Sequence, residues 1–468
     1  MDEGSSDRIV ASLRAWIATV PAGTRVPSNR ALCARHAASP VTVQKAVRTL
    51  TTLGLVESRP GVGTFVRAER TPRLVDHSWQ SATLGSRSTP LGTASAQRAV
   101  NPDAVALHSG YPAPELLPER LVRAALARAT RGAAAVSRSP AGGEPGLQAW
   151  FAGELARHTP PGVQPPGARD VLVVPGSQSA LSSVFRAVVG PGRPLLVESP
   201  TYWGAILAAA QVGVELVPVP VGADGPDPDA LDQAFRSTGA RAFYAQPTYA
   251  NPTGTQWTPE LGQAVLDVVR RHQAFCVEDD WAHDLAIDTD PHPLAAHDDA
   301  GHVVHLRSLT KSVSPALRVA AIVARGPVRE RIGADRAAET MYVSGLLQAA
   351  ALDVVSQPAW RAHLRRTRTQ LRARRDLLVA AVREHLPAAV LDRVPAGGLN
   401  LWLRLPDGTD TAALVRACEV RGVVIADGAE WFPAEPSGAF VRLNYSGPDP
   451  ERFPGAVRVV AEALTATR

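Results

Sequence analysis

Lysine is nearly absent from this 468-residue chain: of 49 basic residues only Lys45 and Lys311 are lysine, and the other 47 are arginine. Cysteine is scarce too. Cys33, Cys276 and Cys418 lie far apart with no paired spacing, which argues against a disulfide scaffold or a zinc site and suits a reducing compartment. No apolar run approaches the length that spans a bilayer, and the acidic start Met1-Asp2-Glu3 does not read as a signal peptide, so a cytoplasmic protein is expected. No internal repeat is present. Hydrophobic residues nevertheless make up 45% and charged residues 20%, enough for a sizeable core, and the length implies two or three domains.

The net charge of +5 is modest, but it is unevenly placed. Residues 1–70 hold ten basic and five acidic side chains, so the rest of the chain balances at zero. A small basic module on a neutral body implies that one end meets a polyanion.

The one lysine in the large C-terminal part stands in Ser308-Leu-Thr-Lys311-Ser-Val-Ser-Pro315-Ala-Leu-Arg318. Arginine cannot replace lysine where a neutral amine must attack a carbonyl, because the guanidinium stays protonated. A Schiff base with pyridoxal phosphate (PLP) is the commonest role with that demand. Val303 to Leu306 reads as a short buried strand, so Ser308 and Lys311 fall just past a strand end, where open α/β sheets place ligands. Ser308 and Arg318 supply a hydroxyl and a guanidinium of the kind that clamp a phosphate. The plainer reading of Lys311 taken alone is a surface residue that escaped replacement by arginine.

Along the chain, Ser5 to Val20 carries Ile9, Leu13, Trp16 and Ile17 on one helical face. Ser28 is placed to cap a second helix. Ser39 caps a third with Pro40 at the tolerated first position and Val43, Val47 and Leu50 facing inward. Two short helices and a tight turn, the second exposing Thr42, Gln44, Lys45 and Arg48, read as helix-turn-helix. Leu55 to Ser58 and Gly63 to Val66 flank a turn carrying Arg59, which makes a hairpin with a basic tip. Residues 71–103, with Pro72, Ser78, Ser81, Ser86, Ser88 and Pro90, show no sustained apolar period and read as a linker. From residue 104 onward strands alternate with helices, the pattern of an α/β domain with a mainly parallel sheet. The expected strands are 171–174, 194–197, 214–217, 242–245, 275–278, 303–306 and one within 317–323. An Arg-rich helix over 363–385 reads as structural with a solvated basic face, and a C-terminal α+β lobe follows, with strands near 398–403, 423–425 and 440–444.

Two resemblances are carried by these residues. Pro27-Ser28-x-Arg30, Thr42-Val43 and Gly61-x-Gly63-Thr64-Phe65-Val66 resemble the winged helix-turn-helix of the GntR family. This implies that residues 1–70 bind double-stranded DNA through Arg30, Thr42, Gln44, Lys45, Arg48 and Arg59. Pro40 departs from that family, which usually carries Arg there. Ser308-x-x-Lys311…Pro315-x-Leu317-Arg318 resembles fold-type I PLP enzymes and the MocR/GabR regulators, over residues 104–468.

The second resemblance implies a set of roles. Ser177 and Gln178, opening a helix after a strand, hold the cofactor phosphate with Ser308 and Arg318. Tyr202 of Glu198-x-Pro200-x-Tyr202 stacks on the pyridine ring, although a core tyrosine has the same signature. Asn251 of Asn251-Pro252-Thr253-Gly254 meets the phenolic oxygen. Asp279, with Asp280 as the alternative, pairs with the ring nitrogen; His283 and Asp284 nearby match no common metal-ligand spacing. Arg442 grips an amino acid's α-carboxylate, and Trp281 stands where such proteins usually have a tyrosine. Fused, the two parts imply a homodimeric transcription regulator that senses PLP and an amino compound. The alternative is an aminotransferase acting on an amino acid and a 2-oxo acid, and residual transaminase activity is compatible with the regulator.

Overall fold

The computed structural model describes residues 3–67, 98, 101 and 103–467, and the chain divides into two compact units, Met1–Ser86 and Arg87–Arg468. Of the expected linker only Arg98, Asn101 and Asp103 are among the described residues; Arg98 Nη2 meets Glu419 Oε1 at 2.5 Å.

The first unit holds α1 (Glu3–Ile17), α2 (Asn29–His36) and α3 (Pro40–Thr52), then the hairpin β1 (Val56–Arg59) and β2 (Gly63–Val66). Ser28 Oγ accepts from the Ala31 amide and Ser39 Oγ from the Thr42 amide, so both expected caps satisfy an otherwise unpaired donor. Ile9, Leu13, Leu32, Val43, Ala46 and Leu50 close a small core against Val56 and Val66 of the hairpin. Val47, expected inside, is only half-buried, because Ala46 takes the inward position one residue earlier.

The second unit is built on seven strands: β4 (Val171–Val174), β5 (Pro194–Ser199), β6 (Glu215–Pro220), β7 (Ala242–Ala245), β8 (Phe275–Asp280), β9 (Val303–Ser308) and β10 (Ala320–Val323). A two-residue β3 (Val105–Ala106) precedes them. The sheet order is β4-β10-β9-β8-β7-β5-β6; β10 runs antiparallel to both neighbours and the remaining pairs are parallel. Helices cover both faces, so successive strand residues enter different cores. Phe243 and Cys276 pack on one side, Tyr244 and Val277 on the other. The expected strands were short at their C-terminal ends: β5, β8 and β9 each run two residues further, carrying Asp279, Asp280 and Ser308 inside the sheet.

The C-terminal lobe pairs β11 (Asn400–Arg404) with β14 (Phe440–Asn444) and β13 (Ala426–Asp427), while β12 (Val423–Val424) joins β3 in parallel. The long helix Pro358–His385 corrects one expectation. Its basic face is not simply solvated. Arg374 and Arg375 are buried, Arg368 Nε and Arg372 Nη2 donate to the Ile287 carbonyl, Arg375 pairs with Asp288, and Arg374 reaches Glu115. Arg368, Arg372 and Arg375 bind the loop 287–290 to the helix, with guanidinium groups on carbonyls and carboxylates.

Candidate cofactor and effector site

The C-terminal ends of β5, β7, β8 and β9 and the turn after β4 surround a cavity of about 470 Å³. Ser177, Gln178, Tyr202, Asn251, Asp279, Ser308, Lys311, Arg318 and Arg442 all line it. Nine residues expected from scattered stretches of sequence are thus brought to one place.

Lys311 is half-buried in the cavity wall, with Nζ 3.1 Å from the centroid of the Tyr111 ring. Burial, with Arg442 and Arg318 nearby, pushes its amine well below the ordinary lysine value. The side chain is therefore biased toward the neutral, nucleophilic form.

Asp279 is buried at the end of β8, and both its hydrogen bonds fall on one oxygen: Tyr244 Oη donates to Oδ2 at 2.9 Å and Gln246 Nε2 at 2.8 Å. Oδ1 is buried without a partner. Burial raises this carboxyl to about 6 against the pull of the two donors. Asp280, the alternative, is excluded from the cavity because adjacent strand residues face opposite ways. Its Oδ2 meets His283 Nδ1 at 2.6 Å, and although burial opposes its charge, His283, His305 and Arg307 hold it well below the usual carboxylate range. Asp284 binds Arg307 at 2.7 Å and accepts from Ser312.

The cavity also holds an anion cradle. The helix Ser177–Val184 starts after Gly176, whose φ of +94° suits glycine, and a Cβ there would stand 2.5 Å from Arg318 Nη2. Free backbone N–H groups at a helix start, a guanidinium, and the hydroxyls of Ser177 and Ser308 make this end complementary to a phosphate. Gln178 Nε2 donates to the Gly204 carbonyl while its Oε1 accepts from Tyr202 Oη, so Gln178 holds the aromatic wall as well as lining the cavity.

Arg442 is fully buried on β14, beneath the Trp431 ring at 4.6 Å. Nη1 donates to Asn251 Oδ1 at 3.1 Å and Nη2 to the His108 carbonyl at 2.7 Å, while Nε is buried without a hydrogen bond. Burial lowers its value to about 10. With Oδ1 of Asn251 occupied, the amide's remaining polar group is the Nδ2 donor, which suits an anionic oxygen. Trp281 lines the cavity, but its indole N–H is committed to the Tyr249 carbonyl at 3.1 Å.

The residues present fit PLP: an amine with lowered proton affinity, a phosphate cradle, a flat aromatic wall, and an unpaired carboxylate oxygen for the ring nitrogen. Seven cavity residues were not singled out as site residues from sequence: Gly110, Tyr111, Trp203, Leu207, Gln246, Thr310 and Asn400. Gln246 and Thr310 had a local signal, the first at the head of the stretch that ends in Asn251-Pro252-Thr253-Gly254 and the second inside the run from Ser308 to Lys311. Tyr111 carries no pattern that would have found it.

On the first unit, Arg30, Gln44, Lys45, Arg48 and Arg59 are exposed, and Thr42 is half-exposed with its hydroxyl 2.9 Å from Ser39 Oγ. Arg59 is bound to Glu57 at 2.6 Å and lies over the Phe65 ring.

Residues 138–460 match the family of class I and II aminotransferases, and residues 5–66 match the gntR family of bacterial regulatory proteins. The chain is 30% identical to a 2-aminoadipate transaminase of Thermus thermophilus over 369 residues, covering 78% of this chain and 90% of that protein. It is 29% identical over 459 residues to a probable rhizopine catabolism regulatory protein, MocR, of Rhizobium meliloti, covering 95% and 90%. The crystal structure of LysN, the α-aminoadipate aminotransferase of Thermus thermophilus, complexed with N-(5'-phosphopyridoxyl)-L-leucine, superposes with a TM-score of 0.72 at 27% identity. The match covers 80% of this chain and 96% of that one.

Proposed function

The chain belongs to the class I and II aminotransferase family with a GntR-type module ahead of it, the MocR architecture, and we propose that it is a cytoplasmic, homodimeric transcription regulator whose DNA affinity responds to PLP and an amino compound. The observation that carries the ligand-sensing part is that Lys311 lines one cavity with Asp279, whose Oδ1 has no hydrogen-bond partner.

When bound, PLP supplies an aldehyde that a neutral amine can condense with and a ring that withdraws electrons. In this reading burial and two guanidinium groups weaken the hold of Lys311 on its proton, favouring the amine that bonds the cofactor. Ser177, Gln178, Ser308 and Arg318 hold the phosphate, Tyr202 covers the ring, and Asn251 Nδ2 meets the phenolic oxygen. Asp279 keeps a proton at the ring nitrogen. Arg442, buried among neutral hydrogen-bond acceptors, receives the carboxylate of an α-amino acid. For the effector to change transcription it must bind two conformations of the dimer with different affinity. Residues 1–70 read two half-sites, one per protomer, and residues 71–103 link them to the body.

A second reading has a specific support: Asn251 and Arg442 stand together in the cavity, and a transaminase is among the relatives. In that reading the body turns over an amino acid and a 2-oxo acid. Incubating the purified protein with PLP, an amino acid and a 2-oxo acid separates the two. The regulator shows cofactor absorbance that Lys311→Ala abolishes, with turnover slow or absent; sustained turnover that Lys311→Ala abolishes favours the enzyme.

A further inference from the structure

Asp279 makes no ion pair among the described residues; its two donors are the neutral groups of Tyr244 and Gln246, and both bind Oδ2. Tyr244 is immobilised: it is fully buried on β7 with its ring edge-on to Phe185 at 6.0 Å. Gln246 is held at its backbone N–H and at both ends of its side-chain amide. Its backbone N–H donates to Glu198 Oε2 at 3.2 Å, its Nε2 donates to Asp279, and its Oε1 accepts from the Asn251 backbone N–H at 2.9 Å. One side chain therefore spans the residue placed for the ring nitrogen and the residue placed for the phenolic oxygen.

We propose that Tyr244 and Gln246 are positioning residues that commit Asp279 to receive the cofactor's ring N–H on Oδ1, and that Gln246 ties this contact to the placement of Asn251. The inference rests on the PLP reading above. Two donors on Oδ2 select one rotamer of the carboxylate and leave a single oxygen for the ligand. They also stabilise the anion, since a hydrogen bond to a charged group is stronger than one between neutral groups. Removing either donor raises the proton affinity of Asp279. The proton shared with the ring nitrogen then moves toward the carboxylate, and the ring loses positive charge. Gln246 does this with a neutral amide, adding no charge to the cavity it shares with Lys311.

The test is the 15N resonance of full-length protein loaded with ring-15N-labelled PLP, at neutral pH, for the unaltered chain, Tyr244→Phe and Gln246→Leu, with Asp279→Asn as the unprotonated reference. The unaltered protein is expected at the protonated position. Each variant is expected to move toward the reference, by about tenfold in the ring-proton equilibrium for one lost charge-assisted hydrogen bond. Gln246→Leu should in addition weaken retention of PLP, and Gln246→His, which keeps a donor toward Asp279, should restore part of the shift. If Tyr244→Phe does not fold, Gln246→Leu decides alone. Folded variants with an unshifted resonance would overturn the proposal. Absence of any bound resonance in the unaltered protein would instead sink the cofactor reading itself.

Discussion

Arg442 and Asn251 lie 191 residues apart in sequence and are joined in the cavity by a 3.1 Å hydrogen bond from Nη1 to Oδ1. The contact fixes the amide's orientation, while the guanidinium's Nε is buried without a hydrogen bond. In the proposed reading, the two residues set where a carboxylate and a phenolic oxygen are held relative to one another.

Arg442→Lys is expected to weaken binding of α-amino acids to the PLP-loaded protein at least about tenfold, because an ammonium offers no bidentate fork. Absorbance titration with an amino acid reads this directly, and an unchanged titration would remove Arg442 from the carboxylate role.

Lys311 carries a pH signature in the cofactor-free protein. Its folded-state value is depressed below the ordinary 10.5, so across the window between that depressed value and 10.5 the unfolded chain binds more protons. The contribution is fully present above the ordinary value and is lost as pH falls toward the depressed one. Lys311→Met should flatten that rise and increase the thermal midpoint at neutral pH, since an unpaired amine no longer has to be buried. A midpoint that is pH-dependent to the same degree in both proteins would contradict the burial account.

How far the chain could be read in advance depended on the distance over which each signal acts. Helix caps at Ser28 and Ser39, the wing glycines and the run Ser308 to Arg318 are local, and they were legible because capping and turn chemistry act over three or four residues. Asp279 and Asp280 were not separable, because strand alternation puts adjacent residues on opposite faces without saying which face fronts the cavity. Tyr111 was invisible: its ring meets Lys311 from 200 residues earlier, a contact made by packing alone. The arginines of the helix 358–385 misled in the same way, since exposure was inferred from charge while the loop 287–290 that buries them lies elsewhere in sequence.

Leu50→Ala should cost the first unit about 2–5 kcal/mol, because Leu50 is fully buried in a small core that cannot collapse around the loss. DNA binding is expected to fail while cofactor absorbance persists. Loss of both would mean that the two units do not fold independently.

Lys45→Ala removes an exposed charge from α3. If Lys45 meets a phosphate, the slope of log affinity against log salt falls by about one and all sequences weaken alike. A change in sequence preference instead would assign Lys45 to a base edge.

The central claim is that one chain couples DNA binding to the contents of the Lys311 cavity. The most direct measurement is the affinity of full-length protein for the intergenic DNA beside its own coding sequence, with and without PLP, at a fixed salt concentration. The expected result is sequence-selective binding whose strength changes on adding PLP and does not change in Lys311→Ala. Selective binding that PLP leaves untouched, or no selective binding at any PLP level, would contradict it.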